Sequence, residues 1–311
     1  MKILIKIMIK SQVKDFMLSL LGRLFFLPKF FLLSIPDLKK SIKPFNNENH
    51  FDRTGILVKD ARRIEFDQFH EIILPHYDNL AHSYWRAQEL SLFLKNLNIF
   101  QKPILDFGCG DGTFASFLLK KIDYGVDIDN EALAIASKYN IYKELLSINN
   151  SLIPIKSGTI SSVISNSVLE HCADLNKILA EISRVLKKNG HFIFTVPTAT
   201  FKAHMKKYFG NKICTYVNQK WFHRNLYDEN KWENLLNEHN FSIISLKHYQ
   251  PDWFTLYYWI YRFLEKSFSF YLPFKHILWN RSKKRIIDQV RNSIEHTDLG
   301  GNIFVIALKD S

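Results

Sequence analysis

The chain has 311 residues, enough for one large core with appendages or for two small domains, and its 47% hydrophobic and 23% charged content excludes global disorder. Its formal net charge of +12 is unevenly placed. Residues 1–45 hold nine Lys/Arg against two Asp/Glu, 46–199 sixteen against eighteen, 200–291 sixteen against seven, and 292–311 one against three. A near-neutral middle is thus flanked by basic segments, which attract phosphate on nucleic acid, on anionic lipid or on a small substrate. The three cysteines, Cys109, Cys172 and Cys214, form no CxxC pair, so neither a zinc site nor a disulfide framework is indicated. Free thiols fit a reducing cytosol.

At the N-terminus, Lys2, Lys6, Lys10 and Lys14 recur every fourth residue and make one basic stripe on a helix otherwise covered by Ile and Met. The following run, Phe16–Ile35, is broken by Arg23, Pro28 and Lys29, which argues against a membrane span and for a helix lying in the membrane interface. Packing on the protein's own core remains the alternative. Residues 1–50 are read as a basic amphipathic extension, and the chain is expected in the cytoplasm with peripheral contact to the inner face of the membrane.

Beyond residue 100, short apolar runs alternate with amphipathic stretches, the signature of βαβ units and a parallel sheet. Strands are predicted at Pro103–Phe107, Tyr124–Ile128, Ile160–Ser165, His191–Val196, Ser242–His248 and Asn302–Lys309. Helices are predicted at Thr113–Lys121, Asn130–Tyr139, Leu175–Leu186 and Trp232–Glu238, with Asn189-Gly190 closing the third. Two stretches fall outside the rhythm: 199–230, with His204 and His223, and 251–299, which opens on the aromatic run Trp253–Tyr261 and reaches the basic run Arg281–Arg285.

The strand ending at Phe107 leads into Gly108-Cys109-Gly110-Asp111-Gly112 and then a helix, the setting of a nucleoside-binding loop. The dehydrogenase spacing GxGxxG fails because Thr113 follows Gly112. Leu105–Gly112 instead resembles motif I of class I S-adenosylmethionine-dependent methyltransferases, of the small-molecule branch. The resemblance continues in order through Tyr124-Gly-Val-Asp-Ile-Asp129, Asn149-Asn-Ser-Leu-Ile-Pro-Ile155, Ser165-Asn-Ser-Val-Leu-Glu-His171 and Glu181–Gly190. It implies a Rossmann-like, doubly wound α/β fold with a seven-stranded sheet whose last strand is antiparallel. Helical additions would lie at the N-terminus and in the inserts. The methyltransferase domain would then occupy 51–250 and 300–311, with 199–230 and 251–299 as inserts facing substrate or membrane.

The same resemblance implies S-adenosylmethionine as cofactor, held by Asp106, Gly108, Cys109, Gly110, Asp127, Ile128, Asn149 and Asn166. Asp127 would take the ribose hydroxyls, Ile128 the adenine face and Asp106 the ammonium. Asn149 stands where the family has Asp, which alters the adenine contact. His171 is the candidate base, because imidazole titrates near neutral pH; a plain helix-entry role is the alternative. Cys172 reads as a buried thiol, and His204 and His223 as structural residues that could touch substrate.

For the acceptor, Asn166-Ser167-Val168-Leu169 lacks the Pro-Pro-aromatic turn of enzymes that methylate flipped bases, which argues against nucleic acid. The aromatic and basic inserts favour an amphiphile, and Phe222–Leu226 with Lys231–Leu236 resembles inserts of surface-glycan methyltransferases. O-methylation of a small-molecule or lipid-linked glycan is therefore expected. A quinone or isoprenoid acceptor, or a non-catalytic scaffold, are the alternatives.

Overall fold

The computed structural model describes residues 80–148, 152–267 and 297–310. In chain order these form α1 (Leu80–Lys95), β1 (Ile104–Phe107), α2 (Thr113–Leu118), β2 (Ile122–Asp127), α3 (Asn130–Ala136) and β3 (Tyr142–Ser147). Then follow β4 (Ile160–Asn166), α4 (Leu175–Val185), β5 (Leu186–Pro197), α5 (Ala199–Lys220), α6 (Glu229–Glu238), β6 (Phe241–Tyr249), α7 (Asp252–Ser267) and β7 (Asn302–Lys309). The seven strands make one sheet in the order β3-β2-β1-β4-β5-β7-β6. Strands β1 to β5 run parallel, and β7 inserts antiparallel between β5 and β6. This is the doubly wound α/β fold that the resemblance implied.

Pleating sends alternate residues of each strand to opposite faces, and the core accordingly has two layers. On β7, Phe304 and Ile306 join the cluster under α1, α5 and α7, while Ile303, Val305 and Ala307 join the cluster under α4 and α6. Helix α4 places Ile178, Leu179, Ile182 and Val185 on its buried stripe, and Asp174 caps it by accepting from the Lys177 N–H. The strand order reverses between β1 and β4, and ligands of such sheets bind beyond the carboxyl ends of the strands at that point.

Some boundaries differ from expectation. Helix α2 stops at Leu118, and Asn130–Tyr139 divides into α3 and a 3-10 turn at Ser137–Tyr139. Helix α4 ends at Val185, so Asn189-Gly190 is not its cap. The pair bends the start of β5, where Asn189 has φ +59° and a Cβ on Gly190 would lie 2.9 Å from the Lys187 carbonyl oxygen. Periodicity gave no sign of α1 or β3.

Each insert opens on a helix. Helix α5 is two segments joined at Gly210, whose φ of +78° breaks the helical path. The aromatic run lies on α7, where Phe254 and Tyr258 are buried and Trp253, Tyr257 and Trp259 pack against the same cluster. Phe254 and Tyr258 are thus part of the protein's own core, and the other three rings are half-buried on it. No helix among the described residues is long and apolar enough to cross a membrane.

Candidate active site

The glycine loop owes its shape to three successive left-handed glycines, Gly108 (φ +74°), Gly110 (φ +53°) and Gly112 (φ +76°). A Cβ on Gly108 would stand 2.5 Å from both methyls of Val168, which follows β4, so the loop is seated directly on that turn. Among the described residues a Cβ on Gly110 would meet nothing within 4 Å, which suits the approach of a ligand to its backbone. Gly112 begins α2, and Asp111 accepts from the Thr113 N–H at 2.9 Å.

Two carboxylates face this loop. Asp127, at the end of β2, accepts the Gly110 N–H at 2.8 Å on one oxygen and the Asp129 N–H at 3.0 Å on the other, fixing its orientation. Asp129 itself caps α3, accepting from the N–H groups of Glu131 and Ala132. Asp106 is 6% exposed and accepts from the Tyr142 hydroxyl at 2.7 Å. Burial, reinforced by the Asp127 charge and opposed by the Tyr142 hydrogen bond, pushes its carboxyl up to about 7. Ile128 is 76% exposed next to Asp127, an apolar side chain left uncovered where an adenine ring was expected. Asn149 lies outside the described residues. Burial first, then Asp106 and Asp127, push the Cys109 thiol far up, so Cys109 lines the loop as an inert group.

Asn166 ends β4 in a network that the sequence did not disclose. Its amide donates to Glu89 Oε2 at 3.0 Å and its carbonyl accepts from the Thr195 hydroxyl at 2.7 Å. Glu89, fully buried on α1, also accepts from Trp85 Nε1 (2.7 Å), Arg86 (2.7 Å), the Ser167 hydroxyl (2.8 Å) and the Tyr249 hydroxyl (3.1 Å). Five donors satisfy one buried carboxylate, as a charge removed from water requires. Ser167 takes φ +55°, and its hydroxyl bond to Glu89 holds that uncommon conformation. Periodicity could not reveal Glu89, since its partners lie up to 160 residues away.

The same turn carries His171, and the structure brings His223 to it. Asn225 does the joining: its amide donates to the carbonyls of Leu169 and Cys172, both at 2.8 Å, while the Arg224 and Asn225 N–H groups bond to the Glu170 carbonyl. The two imidazoles then lie 5.4 Å apart. Burial lowers both, His223 to about 4 with help from the His171 charge, so both are neutral at pH 7. The Asn218 amide donates to the Cys214 carbonyl at 2.9 Å, so its oxygen faces His223 Nδ1 and assigns that nitrogen the proton. His223 Nε2 is thereby left as an acceptor. Glu170 is buried, and its carboxyl is pushed up to about 8 by desolvation and by Glu89.

Glu170, His171 and His223 bring potential ligand atoms within 4.8 Å of one another. Against a metal there stands the nearby Arg86 charge, which already disfavours protonated His171. His204 is placed elsewhere, buried between α5 and α7 with Nδ1 3.4 Å from the Thr255 hydroxyl. Burial pushes the Cys172 thiol up to about 12.

A model of the methyltransferase domain matches residues 80–246, more than half of the sequence. The chain belongs to that methyltransferase family. An uncharacterised protein of Methanocaldococcus jannaschii is 36% identical to the chain over 132 residues, and a malonyl-[acyl-carrier protein] O-methyltransferase of Hamiltonella defensa 30% over 131. Each alignment covers 40% of this chain and 51% of the relative, so the chain spans about half the length of these curated relatives. A Galdieria sulphuraria protein named as a sarcosine dimethylglycine methyltransferase shares the fold, with TM-score 0.52 at 16% identity over 79% of this chain and 98% of its own.

S-adenosylmethionine is the cofactor of this methyltransferase fold, and the residues fit it. A buried carboxyl raised to about 7, with no cation among its hydrogen-bond partners in the described residues, suits an ammonium or sulfonium. An oriented Asp127 suits a diol, and the bare Gly110 and Ile128 surfaces suit a nucleoside laid against them.

Proposed function

We propose that this methyltransferase transfers the methyl group of S-adenosylmethionine to an oxygen of a small-molecule or lipid-linked glycan acceptor. The observation that carries the reading is the pair of neutral imidazoles, His171 on the turn that follows Asn166 and His223 brought beside it from the loop after α5. When bound, S-adenosylmethionine supplies an electrophilic methyl. In the transfer that methyl would pass from sulfur, which keeps the electron pair of the broken S–CH3 bond, to the acceptor oxygen, and a histidine would take the hydroxyl proton. His171, the more exposed of the two, is the base, and His223 supports it with an unprotonated Nε2. Asp106, Asp127 and the Asn166–Ser167 turn hold the donor, so that proximity and orientation supply most of the rate. Trp221 lies edge-on to His223 at 5.5 Å, an aromatic group that would suit an acceptor with a sugar or isoprenoid face.

A second reading is methylation of an isoprenoid quinone. A relative named as a ubiquinone biosynthesis O-methyltransferase, from Vibrio campbellii, is 27% identical over 117 residues and supports it. Incubation with methyl-labelled S-adenosylmethionine and separate extracts of lipid-linked glycan and of quinone decides between them. Label in an O-methyl sugar supports the first and label in the quinone the second; no binding of S-adenosylmethionine at millimolar concentration defeats both.

We also propose peripheral contact with an anionic membrane through residues 1–45, supported by their nine Lys/Arg against two Asp/Glu. Flotation with anionic liposomes tests it: equal recovery of the full chain and a chain lacking 1–45 would end the idea.

A further inference from the structure

One buried charge beneath the donor turn has no part in methyl transfer itself. Glu89 is fully buried on α1, and its own helix aims its carboxylate. Trp85, one turn earlier, donates its indole N–H to Oε1 at 2.7 Å, and Arg86 donates to Oε2 at 2.7 Å. Each oxygen then meets one residue of the turn after β4, Oε1 the Ser167 hydroxyl at 2.8 Å and Oε2 the Asn166 amide at 3.0 Å. A carboxylate can only accept, so Asn166 presents its nitrogen to Glu89 and its oxygen to the Thr195 hydroxyl at 2.7 Å. Both polar ends of that side chain are thus engaged within the protein. Tyr249, the last residue of β6, donates to the same Oε1 at 3.1 Å.

Ser167 holds φ +55°, a left-handed backbone that a Cβ disfavours. Two anchors keep it there: the Thr195 carbonyl and hydroxyl each accept its N–H at 3.1 Å, and Glu89 accepts its hydroxyl. The next residue, Val168, covers the first glycine of the donor loop, where a Cβ on Gly108 would lie 2.5 Å from both its methyls. Contact therefore runs without a break from Glu89 through Ser167 and Val168 to Gly108.

We infer that Glu89 is a positioning residue of the donor site: it holds the Asn166–Ser167 turn in the shape that receives the methionine end of S-adenosylmethionine, and through Val168 it seats the glycine loop. The inference rests on the reading that this turn holds the donor, and it brings into donor binding a helix that lies outside the glycine motif. Five donors on one carboxylate leave it no freedom to rotate, so the turn it grips is shaped before the ligand arrives. A site held in shape only part of the time binds in proportion to that part, so loosening Glu89 shows as lost donor affinity.

The test is calorimetric titration of the full chain with S-adenosylmethionine and with methylthioadenosine, which keeps the nucleoside and sulfur but lacks the amino-acid end. Glu89→Gln keeps the shape and puts an amide nitrogen where only donors point. It should weaken S-adenosylmethionine by about tenfold or more, the size of one lost hydrogen bond to a charged group. Methylthioadenosine should lose less. Adding Ser167→Gly to Glu89→Gln should recover part of the loss, because glycine takes the left-handed conformation without the Cβ penalty; a residue that served stability alone would show no such recovery. Ser167→Ala cuts one of the five bonds and should weaken S-adenosylmethionine by about three- to tenfold, and it decides the matter if Glu89→Gln does not fold. Unchanged S-adenosylmethionine affinity in these variants would overturn the inference, and so would equal losses for the two ligands; both results leave the methyl-transfer reading standing. A wild-type chain that binds no S-adenosylmethionine would defeat that reading and the inference with it.

Discussion

The donor side and the acceptor side of this site are built on opposite plans. The proposed donor side draws mostly on one continuous stretch, since Asp106, Gly108, Gly110 and Asp127 sit within 22 residues and only the Asn166–Ser167 turn comes from elsewhere; the setting of those four is a local matter of strand end, left-handed turn and backbone N–H. The proposed acceptor side would be assembled from α1, the turn after β4, the loop after α5 and α7, which Glu89 and Asn225 help to join. Local geometry can be carried by a short motif, whereas side-chain networks across the sheet leave no fixed spacing.

The comparison predicts separable losses, and the largest lies on the acceptor side. His171→Ala should lower kcat by about 10²–10⁴, the usual contribution of a general base, with S-adenosylmethionine affinity unchanged. His223→Ala should lower kcat less, since His223 acts through His171. Steady-state kinetics with isothermal titration of the donor checks both. A parallel loss of donor affinity would dissolve the distinction between the two sides.

Next in size is Asp127→Ala. It removes the acceptor for the Gly110 N–H and for the ribose diol, and hydrogen bonds to a charged group contribute about 1.5–3 kcal/mol. Donor affinity should fall by about 10- to 150-fold, measured by calorimetry.

The paired glycine variants are smaller and sharper. Gly108→Ala combines a left-handed penalty of about 1–2 kcal/mol with a clash against Val168, whereas Gly110→Ala meets only the penalty. Chemical denaturation should therefore show Gly108→Ala as the less stable by about 1–3 kcal/mol. Val168→Ala in the Gly108→Ala background should recover part of the difference.

What could be read from the sequence follows the same division. Strands β1, β2, β4 and β7 announced themselves as apolar runs bounded by turn residues, and Asn302–Lys309 matches β7 at both ends. Helix α1 did not, because it is buried nearly all round and carries Glu89, Arg86 and Gln88 inward, so no polar stripe marks its outer face. Asn189-Gly190 misled as a helix end because a positive φ beside a glycine bends a strand entry as readily as it caps a helix. The aromatic run on α7 left substrate and membrane both open for a related reason: rings that cover a core and rings that meet a membrane are the same residues.

The smallest predicted effect concerns Asp106 and pH. Its carboxyl is held near 7, above the ordinary 3.8, mainly by burial, so the donor-free protein binds a proton that the unfolded chain has released between those values. Stability from this group is therefore complete below about 3.8 and declines as pH rises through about 7. Donor binding has the opposite sign, because an ammonium or sulfonium is attracted only by the ionised form. Affinity for S-adenosylmethionine should weaken by up to about tenfold per pH unit below 7, the limit for a single proton. Asp106→Asn should flatten that slope. Calorimetry between pH 5.5 and 8 on both proteins checks it, and equal slopes would move the ammonium contact away from Asp106.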